Sequence, residues 1–185
     1  MTVSTIKMTA QQYLQLGEDP PGVRLELVNG EVAVSPSPVP DHAYAIIELA
    51  ILLGQHVKRN GLGRVYSDLD IVLGPHDVRC PDMIFVARAR LNIVGKKAVQ
   101  GPPDLCIEVI SPGSASVDRT DRFDEYQAFG VACYWIIDPA ERTIEAYKLA
   151  EGRYVRCGRG QSSDIVRLPP FPDLEIPLAE LWQPE

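Results

Sequence analysis

Arg79-Cys80-Pro81-Asp82-Met83-Ile84-Phe85-Val86 and Pro103-Asp104-Leu105-Cys106-Ile107-Glu108-Val109-Ile110-Ser111 decide how this chain is read. Each is a short apolar run bounded by Gly or Pro, the pattern of a largely buried strand. Each also carries one carboxylate where the pattern calls for an apolar side chain. A lone buried carboxylate is costly, so Asp82 and Glu108 must be neutralised, paired with a cation or bound to a metal. Two such groups on neighbouring strands suggest a divalent-metal site. The plainer alternatives are a strand-end aspartate after proline for Asp82, and an ion pair with Arg24 or Arg122 for Glu108.

Working outward, Thr9 with Gln12 has the spacing of a capping box for a short helix to about Leu16. The strands 23–28 and 31–34 flank Asn29-Gly30, a strong two-residue hairpin signal. Ser35 to Pro40 reads as an extended linker. Asp41 is then expected to cap a long amphipathic helix to about Asn60, with Ala43, Ile46, Ile47, Ala50, Ile51 and Val57 near one face. Strands are expected over about 64–73, 78–87 and 104–111. A helix over Ser114 to Phe129 follows, ended by Gly130. A buried strand over 132–138, a hairpin over 143–157 and a Pro-broken tail that packs back on the body complete the pattern. These elements predict an α/β fold, a mixed central sheet flanked by helices, as one domain over residues 1–185.

Composition narrows the function. A charged fraction of 23% and an apolar fraction of 45% are ordinary for a globular protein. No apolar run is long enough to span a membrane, and Met1 to Ala10 lacks a signal-peptide core, so a cytoplasmic location is expected. Cys80, Cys106, Cys133 and Cys157 show no CxxC pairing and read as reduced thiols, the first three within strands. A net charge of −7 argues against general coating of nucleic acid. Even so, Arg88, Arg90, Lys96 and Lys97 lie between Asp82 and Asp104 with no acid among them, a local strip where a phosphate backbone could approach. A solvated basic loop is the competing reading. No phosphate-binding GxxxxGK[ST] loop, HExxH helix or GxSxG elbow is present.

Pro81-Asp82, a gap, then Glu108-Val109-Ile110 resembles the PD-(D/E)XK nuclease superfamily. The wider set resembles the Uma-type family of restriction endonucleases. It comprises Leu25-Glu26-Leu27-Val28-Asn29-Gly30-Glu31, Ser35-Pro36-Ser37-Pro38 with His42, Arg79-Cys80-Pro81-Asp82, Gly101 to Pro112, Asp118, Tyr126, Gly130-Val131 and Tyr134 to Pro139. The resemblance covers roughly residues 8 to 182, in order. It implies a restriction-endonuclease-like core with an N-terminal hairpin and an extended C-terminal tail.

It further implies Mg²⁺ or Mn²⁺ bound by Asp82 and Glu108, Glu26 as an auxiliary acid, DNA as substrate and a homodimer. His42 matches a recurrent position and is expected near the site, though a local hydrogen bond at a helix start is the plainer role. The lysine expected two residues after Glu108 is replaced by Ile110, and the lysine expected on the following helix by Arg122. Arginine can contact phosphate but cannot serve as a neutral base. Two functional expectations therefore stand side by side: a divalent-metal-dependent endonuclease, and an inactive nuclease fold that binds DNA or a protein. A third reading makes the buried acids purely structural partners of Arg24 and Arg122.

Overall fold

Local chemistry sets the N-terminal elements. The computed structural model of the chain describes residues 7–21, 23–35, 38–111 and 117–184, with the backbone alone for 117 and 118. Thr9 and Gln12 form the reciprocal capping box over α1 (Ala10–Tyr13). Asn29 and Gly30 take φ of 50° and 81°, so β1 (Arg24–Val28) and β2 (Glu31–Ser35) close as a tight hairpin. Helix α2 (Pro40–Arg59) starts with Pro at its first turn, where a missing N–H costs nothing. Its N-cap is Val39, without a side-chain cap bond, so the expected capping by Asp41 is corrected. Asp41 sits instead within the first turn, where its charge suits the helix dipole.

The inward face of α2 is only partly the expected one: Val57 is buried and Ile46 and Ala50 pack against the core as expected. Ala45, Leu49, Leu53 and Val57 are buried, whereas Ile47 and Ile51 stand exposed. Two apolar faces compete on this helix, and packing chooses the one with smaller and leucine side chains.

Each of the two long strands expected before residue 88 is two strands. Asp68 turns the chain with φ of 49° between β3 (Gly63–Ser67) and β4 (Ile71–Gly74). Cys80-Pro81-Asp82 separates β5 (Asp77–Arg79) from β6 (Met83–Ala87), which also moves Cys80 out of any strand. Then come β7 (Val99–Gln100), β8 (Leu105–Val109), α3 (Arg122–Phe129), β9 (Cys133–Asp138), β10 (Thr143–Ala150) and β11 (Arg153–Gln161). Helix α3 follows a π-turn over Val117–Asp121, and the expected helix start near Ser114 lies outside the described residues. Gly130 ends α3 with φ of 83°. The tail is more regular than expected, a hairpin of β12 (Ile165–Leu168) and β13 (Phe171–Pro177).

The breaks at Asp68 and at Cys80 to Asp82 send the halves of each predicted strand into different sheets. A five-stranded sheet runs β2-β1-β5-β4-β7 and a six-stranded one β11-β10-β9-β8-β6-β3. The larger sheet is mixed: β8 and β9 are parallel, joined through α3, and the other pairs are antiparallel. Strand alternation divides its side chains between two cores. Met83, Phe85, Leu105, Ile107, Trp135 and Ile137 face α2 and the tail residues Phe171, Ile176 and Leu181. Ile84, Val86, Cys106, Tyr134 and Ile136 face α3 through Tyr126. Glu108 is out of phase with Ile107 and Val109, so it is turned toward α3.

Candidate active site

The chain leaves the small sheet at Arg79 and enters the large one at Met83, so Asp82 lies at the junction. Met83 pairs with Ile107 as the last pair of this ladder, and Asp82 and Glu108 are the next residue beyond it on each segment. Here the Asp82 side chain takes over the backbone's role: its Oδ2 accepts from the Val109 amide at 2.8 Å. The same oxygen is 3.1 Å from His42 Nε2, and Oδ1 accepts from Arg24 Nη1 at 3.3 Å. Burial pushes the Asp82 pKa up, but the His42 hydrogen bond and charge, the Val109 amide and Arg24 outweigh it, leaving the carboxyl below its ordinary range. Arg24 also pairs with the exposed Asp68.

Glu108 is held by α3. Its Oε1 accepts from Arg122 Nη1 at 2.6 Å and from the Tyr126 hydroxyl at 2.7 Å. Burial, reinforced by the Glu108 charge, raises the Tyr126 pKa well above its usual value, so this phenol remains a donor. Arg122 sends its other arm, Nη2, to Glu26 Oε2 at 3.0 Å. One guanidinium thus ties a carboxylate of the large sheet to one of the small sheet.

Glu26 is the most fully engaged acid. Oε1 accepts from the Cys80 amide at 2.9 Å. Oε2 accepts from Arg79 Nη1 and Ser35 Oγ, each at 3.2 Å, besides Arg122. Arg79 in turn donates from Nε to Glu125 at 2.6 Å. Three of these donors fall on Oε2, while Oε1 accepts from the Cys80 amide alone and keeps acceptor capacity. Arg79 and Glu125 were not singled out from sequence. The one available signal was Arg79 itself, a cation inside the apolar approach to Asp82.

Structure therefore brings together five of the sequence-derived candidates: Asp82, Glu108, Glu26, Arg122 and His42. His42 reaches Asp82 from the first turn of α2, and its Nδ1 is buried without a hydrogen-bond partner among the described residues. The basic strip is not brought together. Arg90 is engaged by Asp104 and the Pro102 carbonyl, at 2.9 and 2.7 Å. Lys97 donates to the Leu14 carbonyl, and Lys96 and Lys97 line a cavity with Tyr13, Asp19 and Asp70. Arg88 lines a different cavity, beside Lys58 and Arg64. The side chain of Asp118 lies outside the described residues.

Could these residues hold a divalent cation? The thiols are poor candidates: burial pushes Cys80 up to about 12 and Cys133 up to about 11, and all four cysteines are free. Among the described residues no three ligating side chains converge. Asp82 and Glu108 nevertheless supply hard oxygens just beyond the end of one strand ladder, and Mg²⁺ is commonly held by one or two carboxylates, with water and phosphate completing its shell. The donor set fits that kind of site and not an all-protein cage.

Residues 10–179 match the family model Uma2, described as "Putative restriction endonuclease". Among solved structures, a putative nuclease belonging to DUF820 from Anabaena variabilis is similar, with a TM-score of 0.76 and 22% sequence identity. The alignment covers 94% of this chain and 97% of that one, and at this identity it shows the fold. Curated proteins yielded no match. No helix among the described residues is long and apolar enough to cross a membrane.

Proposed function

The chain belongs to the Uma2 family of restriction-endonuclease-like proteins, and from that premise we propose that it hydrolyses DNA phosphodiester bonds with a divalent cation, Mg²⁺ or Mn²⁺, held by Asp82 and Glu108. The observation that carries this reading is two buried carboxylates, Asp82 and Glu108, at the end of the paired strands β6 and β8. Bound there, the cation supplies a more acidic water and offsets charge on the phosphate.

The remaining residues keep this pair in place. The Val109 amide and His42 fix the Asp82 carboxylate as an anion, ready to coordinate at neutral pH. Tyr126 and Arg122 orient Glu108, and Glu26 holds Arg122 and Arg79. Arg122 is a cation at every working pH and cannot take a proton from water. Its part is orientation of Glu108 and, once phosphate enters, a charge-assisted contact to it. Arg88, Arg90, Lys96 and Lys97 are proposed backbone contacts, and a homodimer would present two such sites to two strands.

One observation favours a second reading. Arg122 already occupies Glu108 at 2.6 Å, and Ile110 and Arg122 stand where lysine is expected, as in a nuclease fold retained for binding DNA or a protein. Incubation of purified protein with supercoiled and linear duplex DNA, with Mg²⁺, Mn²⁺ or chelator, separates the two. Divalent-dependent cleavage abolished by Asp82→Asn supports hydrolysis. Equal cleavage by an Asp82→Ala/Glu108→Ala double variant rejects the site, and DNA binding without cleavage by the wild type favours the second reading.

A further inference from the structure

A second cluster of cations lies at the far end of β6. A cavity of about 460 Å³ opens between the end of α2, the edge strand β3 and the residues after β6. Lys58, Arg64 and Arg88 line it, one from each element, and no carboxylate does. None of the three side chains has a hydrogen-bond or ion-pair partner among the described residues. All three side chains are exposed, and with no carboxylate among them they give this face of a chain of net charge −7 a local positive potential.

The glycines around the cavity are consistent with a ligand's approach. Gly54 lies within α2, where glycine costs about 1 kcal/mol relative to alanine, yet a Cβ there would meet nothing within 4 Å. Packing does not require this glycine, and it leaves the helix surface bare where the cavity lies. The last turn of α2 does not oppose an anion strongly, because amides of Asn60, Gly61 and Leu62 cap its final carbonyls. The helix dipole would account for Lys58, but not for Arg64 on β3 or for Arg88. The outer edge of β3 adds backbone groups that no described strand pairs.

We infer that this cavity binds phosphate, that of a nucleic-acid backbone passing the Asp82–Glu108 pair. Arg88 lies six positions beyond Asp82 along β6, about 20 Å at ~3.3 Å per residue. At ~3.4 Å per base pair that is about six base pairs of duplex. The site is thus a second hold on the same polyanion, outside the reacting centre. The identity of the polyanion rests on the nuclease reading, whereas the phosphate chemistry rests on the cavity alone.

The test compares the full chain with a Lys58→Ala/Arg64→Ala/Arg88→Ala variant by fluorescence anisotropy of a labelled duplex, with Ca²⁺ replacing Mg²⁺. Inorganic pyrophosphate is titrated calorimetrically in parallel. The expected result is a salt slope of log affinity reduced by about 2 to 3, at ~0.9 per lost phosphate contact. A variant that loses pyrophosphate binding but keeps its full DNA salt slope keeps the phosphate site and assigns it to a small phosphorylated ligand. Unchanged binding of both probes by a variant that unfolds like the wild type overturns the inference, as does a wild type that binds neither. Failure of the nuclease reading shows separately, as absence of Mg²⁺-dependent cleavage in a protein whose binding curves still respond to the triple substitution.

Discussion

Replacing Arg122 with methionine removes the guanidinium that joins the two sheets while keeping most of the side-chain volume. Arg122, Glu26 and Glu108 are 8, 3 and 3% exposed, so solvent cannot take over the lost contacts. Breaking a buried ion pair from one side costs about 3–5 kcal/mol. Glu26 retains Arg79, the Cys80 amide and Ser35, and Glu108 retains Tyr126, which places the loss near the lower end, about 3 kcal/mol. For a chain of this length that lowers Tm by roughly 6–12 °C. Urea unfolding in chelator, followed by fluorescence of the buried Trp135, measures it. Adding Glu108→Gln to Arg122→Met should cost less than the sum of the single changes, with a coupling of about 1–3 kcal/mol. A loss under ~1 kcal/mol for Arg122→Met, or strict additivity with Glu108→Gln, would refute the view that this guanidinium neutralises the buried acids.

Three further outcomes follow from the same geometry. Burial, with help from Asp19 and Glu26, raises the Asp70 pKa from 3.8 to about 6, so its protonated form favours the fold and the benefit is lost as pH rises through 4 to 6. Asp70→Asn should therefore stabilise by about 1 kcal/mol at neutral pH, after discounting for partial exposure, and change little below pH ~4, as thermal melts across pH will show. Asp82 behaves in the opposite sense: its depressed pKa stabilises above about 4 and is lost as pH falls through the lower folded value, so wild type and Asp82→Asn should converge in stability in acid. Gly63→Ala should destabilise by at least ~2 kcal/mol in chemical unfolding, because φ is 154° and a Cβ would lie 2.1 Å from the Val86 carbonyl oxygen.

Features with local causes were legible in the sequence. Thr9 with Gln12, Asn29-Gly30 and Gly130 each act through backbone chemistry within a few residues, and each forms the expected structure. The burial of Asp82 and Glu108 was legible because a carboxylate in an apolar run is conspicuous wherever it falls. The turn at Asp68 was hidden because Ser67-Asp68-Leu69-Asp70 has neither Gly nor Pro, and aspartate can adopt positive φ without advertising it. The division into two sheets was hidden with it. The phase of α2 was ambiguous because Ile47 and Ile51 are as apolar as Leu49 and Leu53, and only tertiary packing separates them. The Glu26–Arg79–Glu125 chain joins residues 53 and 46 positions apart, a pairing no local pattern encodes. The basic strip read as one feature because four cations were close in sequence, whereas the 3-10 turn Arg88–Ile93 and the bridge Val94–Val99 distribute them around the fold.

The central claim is that Asp82 and Glu108 hold a divalent cation beside DNA phosphate. Isothermal titration of Mn²⁺ into the wild type and into Asp82→Asn, each with and without a cleavage-resistant duplex, tests it most directly. The account predicts binding by the wild type, strengthened by the duplex because phosphate oxygens complete the shell, and its loss in Asp82→Asn. Identical heats from both proteins, or no binding by the wild type even with the duplex present, would contradict it.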